Sequence, residues 1–162
     1  MTTYSVRRAT LADLDVLVDH RVRMFEDMGV LLPGTHQDRL AREFRSWLPG
    51  VMDEDAYLAW VVEAREREGA PQIVAGAGAS VIPWPPGPFY SSGRLAFVYN
   101  VYTEPEHRRH GLARRVMDVL HAYCREAGIG SVALNASISG RTLYESMGYR
   151  VTSSPMMFLS LE

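Results

Sequence analysis

Apolar positions recur along this chain in two rhythms, and each change of rhythm marks an element. After an extended run at Tyr4–Arg8, the residues Leu11, Leu14, Val18, Val22 and Phe25 return at helical spacing until Gly29. Thr10 stands just ahead of that series, where a hydroxyl can cap the first amides. The segment GVLLPGTH predicts a loop, and Leu40, Phe44, Trp47 and Leu48 predict a second amphipathic helix that stops at Pro49-Gly50. Tyr57–Ala64 is dense in apolar, β-branched and aromatic residues. REREGAPQ then supplies a polar turn, and Ile73–Ile82 resumes an extended run of small residues, so the pair predicts a hairpin. PWPPGPFYSSGR holds four of the nine prolines and predicts a loop before a strand at Leu95–Thr103, which Pro105 ends. From Gly111, the apolar set Leu112, Val116, Val119, Leu120, Tyr123 and Ala127 predicts a long helix closed by Gly128. A strand at Ser131–Ala136, a short helix from about Gly140 to Met147 and a last strand at Met156–Leu161 complete the series. The order is β-α-α-β-β-β-α-β-α-β, a mixed α/β or α+β arrangement.

Composition narrows the function classes. The length of 162 residues fits one compact domain over residues 1–162, and there is no internal repeat. Hydrophobic residues at 47% and charged residues at 22% exclude a disordered chain. No stretch approaches the roughly 20 apolar residues of a membrane span, and the N-terminal segment turns acidic and polar where a secretory signal would be apolar. The expectation is a cytoplasmic protein with no membrane partner. Cys124 is the only cysteine, which rules out an intrachain disulfide and a multi-cysteine zinc site. All 17 basic residues are arginine, so chemistry that requires a lysine is excluded: Schiff-base catalysis, a P-loop and an ordinary protein kinase. Residues 1–103 hold 10 arginines against 13 acids, whereas residues 104–162 hold 7 against 6. With a pI near 6.2 there is no general nucleic-acid footprint, and any polyanion site must be local.

The junction VYNVYTEPEHRRHGLARRVM is the place for one. A strand ends at a proline, a turn holds Arg108 and Arg109, and Gly111-Leu-Ala113 opens the long helix. Helix N-termini leave amides unpaired and carry partial positive charge, which stabilises an anion such as a pyrophosphate. Arg108, Arg109, Arg114 and Arg115 add charge, while Gly111 and Ala113 let oxygens approach the backbone. The competing interpretation is a solvated charged turn. Other patterns carry less. Gly76-Ala-Gly78 runs into Pro83 before any helix, so small residues packed in a strand explain it better than a dinucleotide fingerprint. His107 and His110 lack a third metal ligand, and Cys124 reads as a structural thiol.

Arg108-Arg-His-Gly111-Leu-Ala113 between a strand and a long helix, followed by the strand Val132–Asn135 and the segment ASISGRTLYESMGYRV, resembles the GNAT superfamily of acyl-CoA-dependent N-acyltransferases. The two motifs cover about residues 95–150. The resemblance implies a central, mostly antiparallel, splayed sheet flanked by helices, and acetyl-CoA as co-substrate without a metal. It places the amide-bearing arm of the donor on the backbone of Val101, Tyr102 and Thr103. The pyrophosphate falls on the amides of Arg109, His110, Gly111, Leu112 and Ala113, with Arg108 and Arg114 nearby, and Ser137 is counted among the donor-binding residues. Tyr144 matches the general acid of the family: its ordinary pKa of about 10 keeps it protonated, ready to donate to a departing thiolate. Ser137 and Gly140 depart from the Asn and Ala of many relatives, and no base is assigned. On the acceptor side the resemblance points to Glu26, His36, Tyr90, Asn100 and Asn135. The implied activity is acetyl transfer to a primary amine of a small molecule such as an amino acid, polyamine or aminated antibiotic. The alternatives are a protein N-terminal or lysine acetyltransferase and a non-catalytic acyl-CoA-binding module. A homodimer is also expected, from the apolar run MMFLSL and from the family's habit.

Overall fold

The computed structural model describes residues 1–30, 34–88, 91–153 and 156–161. Five strands pair side by side in chain order: β1 (Thr3–Arg8), β2 (Tyr57–Arg65), β3 (Gln72–Pro83), β4 (Arg94–Thr103) and β5 (Val132–Leu134). Neighbours from β1 to β4 run antiparallel, and β5 joins β4 in parallel. A parallel pair needs a crossover, which α3 (Leu112–Glu126) provides.

Side chains of β2 alternate between two clusters. Leu58, Trp60, Val62 and Ala64 meet Val116, Met117, Leu120 and Cys124 of α3. Tyr57, Ala59 and Val61 meet Leu17 and Val18 of α1 (Leu14–Asp27) together with Phe44 and Leu48 of α2 (Thr35–Asp53). Helices thus cover both faces, and a strand buried on both faces reads as an unbroken apolar run, as β2 does. The mixed α+β class and the mostly antiparallel sheet match the sequence expectation.

Three local expectations need correction. Thr10 caps a 3-10 turn at Leu11–Asp13 rather than α1: Ala12 N donates to Thr10 Oγ1 at 3.3 Å, and Thr10 N donates to Asp13 Oδ2 at 2.8 Å. Helix α2 does not stop at Pro49-Gly50 but runs to Asp53 with Pro49 inside it. Proline removes one ladder bond, yet Leu48 is fully buried and Val51 and Met52 pack on the same cluster, so tertiary burial carries the helix onward. The last strand is not found among the described residues: residues 156–161 carry no strand, and Met156, Met157, Phe158, Leu159 and Leu161 are exposed. The neighbouring edge strand β5 has only three residues, too short a template for a sixth strand. Among the described residues the order therefore ends after α4 (Arg141–Ser146).

Candidate active site

Strand β4 is irregular on both of its edges at the same height. Against β3, Gly78 is opposite Asn100 but Ala79 is opposite Val98, so Tyr99 is the extra residue of a bulge. Against β5, pairing covers only Ala96–Val98 with Val132–Leu134. Beyond Val98 the two strands part, and the backbone from Asn100 to Thr103 is left without β5 as a neighbour. Val101 packs toward the α3 cluster, whereas Tyr102 is buried on the α1 side with its ring 4.9 Å from that of His20. The Thr103 hydroxyl is enclosed without a partner.

The chain then passes through a 3-10 turn at Pro105–His107 into α3. Arg109 adopts φ 65 and Gly111 φ 73, left-handed values that are strained for arginine and easy for glycine. A Cβ built on Gly111 meets nothing within 4 Å, so the backbone faces open space. Among the described residues the amides of Arg109 to Arg114 have no backbone acceptor, and the ladder begins with Arg115 N donating to Gly111 O at 3.0 Å. Arg108 is tied down: its Nε donates to Thr103 O at 2.9 Å, and its Nη2 pairs with Asp27 at 2.5 Å. Arg114 donates to Ser146 Oγ and so links α3 to α4. The His110 ring sits over the turn, Nδ1 lying 2.9 Å from Arg108 O, and His107 Nδ1 is 3.1 Å from the Tyr4 hydroxyl. Among the described residues no group of three or more His, Cys, Asp or Glu is placed to hold a metal ion.

Tyr144 lies on α4 and packs into the α3-side core, edge-on to Tyr149 at 5.7 Å. Burial pushes its pKa above the ordinary 10, which keeps the phenol protonated at neutral pH. Gly140 makes room for the ring, since a Cβ there would come within 3.0 Å of Tyr144 Cε2 and of Ser137 Oγ. Ser137 is occupied at the start of α4, its Oγ accepting from Gly140 N at 3.1 Å.

On the opposite face a polar chain crosses between elements. Arg21 Nη1 donates to Asn100 Oδ1 at 2.6 Å, and Asn100 Nδ2 donates to the Tyr57 hydroxyl at 2.5 Å. Tyr57 is buried with its pKa pushed up to about 12 by desolvation, and its hydroxyl lies where a side chain on Gly78 would be. Leu17, His20, Tyr57, Gly76, Ala77, Gly78, Asn100 and Tyr102 line a small cavity here. Burial lowers the His20 pKa below 6.5, with Glu104 and Asp19 opposing and Arg23 assisting. Glu104 Oε1 is 3.5 Å from His20 Nε2, and Arg23 bonds the other oxygen at 2.8 Å.

Of the acceptor-side expectations, only Asn100 joins this network. Glu26 is exposed and accepts from Gln37, His36 is exposed on α2, and Asn135 is exposed beyond β5. Tyr90 lies outside the described residues. Sequence reasoning missed Arg21, Tyr57 and His20. The available signal was helical spacing, which puts Arg21 on the same stripe as Leu14, Leu17, Val18 and Phe25.

The chain is similar to known proteins over most of its length. The profile of the acetyltransferase (GNAT) family matches residues 17–149. A GCN5-related N-acetyltransferase from Ralstonia eutropha JMP134 is 30% identical and superposes with a TM-score of 0.83, covering 97% of this chain and 99% of that one. A predicted acetyltransferase from Clostridium acetobutylicum, solved with acetyl-CoA, is 28% identical with a TM-score of 0.79, covering 97% and 96%. Human N-acetyltransferase 8 is 28% identical over 104 residues, which are 62% of this chain and 42% of that protein.

Proposed function

Because the chain belongs to the acetyltransferase (GNAT) family, we propose that it moves an acetyl group from acetyl-CoA to a primary amine of a small molecule. The observation that carries this reading is the β4–α3 junction. Unpaired amides from Arg109 to Arg114 face open space at Gly111, directly after a strand that has parted from its neighbour. A helix start of this kind suits a pyrophosphate, and the freed β4 edge suits an amide-bearing arm.

In the proposed reaction the unprotonated amine attacks the thioester carbonyl. The C–N bond forms, the C–S bond breaks, and backbone donors at the end of β4 stabilise the oxyanion. Tyr144 donates its proton to the departing sulfur and regains one, through solvent, from the proton the amine sheds. The exposed apolar residues of 156–161 support association with a second copy of the chain.

Calorimetric titration with acetyl-CoA tests the donor side. Binding should be the same with and without a chelator. Gly111→Glu should weaken it at least tenfold at an unchanged circular-dichroism spectrum, because bulk and negative charge are added where the pyrophosphate sits. Chelator-sensitive affinity, or wild-type affinity in the variant, contradicts the assignment.

A further inference from the structure

Arg21 is a charge that acetyl transfer as described leaves without a task. Helical spacing sets it on the core-facing stripe of α1, and the guanidinium carbon lies 5.0 Å from the Phe25 ring and 4.7 Å from the Phe44 ring. Nη1 is held by Asn100, while Nε is enclosed and has no acceptor. Among the described residues no carboxylate pairs with it. The acids on this side are engaged elsewhere: Glu104 and Asp19 by Arg23, Asp27 by Arg108, and Glu26 by Gln37. Desolvation lowers the Arg21 pKa, but arginine keeps its charge in proteins. A cation moved out of water without a counter-charge is costly. The fold holds this one beside Asn100, at the bulge of the strand assigned to the donor.

We propose that Arg21 is the counter-ion for a carboxylate on the acceptor, so that the acceptor is an apolar amino acid. The inference rests on the acetyl-transfer reading above and narrows it. Asn100, which holds Arg21, directly precedes Val101 on the strand assigned to the donor, and an α- or β-amino acid keeps its carboxylate and its amine close enough together to share that neighbourhood. The planar guanidinium fork suits a carboxylate. Phe25 and Phe44 lie against it, and Tyr99, whose ring pairs with that of Phe97 at 4.9 Å, is near enough to act on its charge; these aromatic surfaces suit an apolar side chain. Polyamines and polycationic antibiotics bring further positive charge to a site whose fixed charge is already positive and whose nearby acids are paired.

The test uses matched probes: L-phenylalanine, L-leucine and L-methionine, their carboxamides, and spermidine. Wild type, Arg21→Met and Arg21→Lys are compared by thiol release from acetyl-CoA, alongside titration of the N-acetyl amino acids and their amides into CoA-saturated protein. Wild type should favour the acids at least tenfold in kcat/KM over the amides and over spermidine. Arg21→Met should erase that preference mainly through KM, Arg21→Lys should restore part of it, and acetyl-CoA affinity should stay unchanged in both. Equal use of acids and amides by the wild type, a preference for spermidine, or an equal loss on all probes in Arg21→Met overturns the carboxylate subsite and leaves acetyl transfer standing. Should no probe release thiol, acetyl transfer fails separately and the titrations decide the subsite. Arg21-dependent binding of the N-acetyl amino acids supports it, and absence of that binding overturns it.

Discussion

At the scale of single residues, the chemistry of the proposed reaction rests on one oxygen, the phenol of Tyr144. Removing it with Tyr144→Phe keeps the ring that packs against Tyr149 and under Gly140. The melting temperature and acetyl-CoA affinity should therefore stay near wild type, while kcat falls by the ~10²–10⁴-fold typical of a positioned general acid. An unchanged kcat, with chemistry shown to limit the rate, contradicts the acid role. His20 makes a second residue-scale prediction through its buried imidazole. Burial lowers its folded-state pKa below the 6.5 of the unfolded chain, so between the two values the unfolded chain binds more protons. The stability it contributes is whole above about pH 6.5 and is lost as pH falls from there toward the folded pKa. His121, lowered by burial and Arg125, acts in the same direction. Melting temperatures followed from pH 7.5 to pH 5 should decline, and less steeply in His20→Gln; equal slopes would show that His20 is not a source of the decline.

At the scale of elements, helix α2 shows burial overruling a local stop signal. Pro49 cannot donate to the carbonyl of Arg45, yet the buried Leu48 before it and Val51 and Met52 after it hold the helix together. Pro49→Ala restores that bond and should raise stability by on the order of 1 kcal/mol or more, read as a higher melting temperature; a lower one would mean that the proline ring itself packs productively. The same contrast explains what was legible in the sequence. The β4–α3 junction could be read because its residues are contiguous, from Val101 through Ala113, and because a strand, a proline, a glycine and a long amphipathic helix each carry a local signal. The Arg21–Asn100–Tyr57 chain could not, because its members come from a helix and two strands that meet only after folding. Asn100 is reached through the family resemblance, but Arg21 and Tyr57 each read alone as an ordinary side chain of its element. Residues 156–161 have strand composition, but a strand is decided by a regular ladder with a neighbour, and these residues are not part of the five-stranded sheet.

At the scale of the whole molecule, the sheet divides the labour. On its α3 side are Tyr144 and the turn proposed to hold the pyrophosphate, on its α1–α2 side are Arg21 and the small cavity lined by His20, Tyr57 and Tyr102, and the bulge in β4 lies between them. Met157, Phe158, Leu159 and Leu161 leave four large apolar side chains exposed within five residues, a concentration that proteins normally cover. Light scattering at high concentration should give twice the 18.2 kDa chain mass, and Phe158→Asp should return the single-chain value; a wild type that scatters only as one chain rejects association through this segment. Acetyl transfer itself is tested most directly by amine-dependent thiol release from acetyl-CoA by the wild-type protein, scanned across amino acids, polyamines and lysine peptides. Release should rise well above the amine-free rate for at least one small amine, with one acetyl amide formed per thiol. Tight acetyl-CoA binding with no amine raising thiol release would contradict it and leave a donor-binding module in its place.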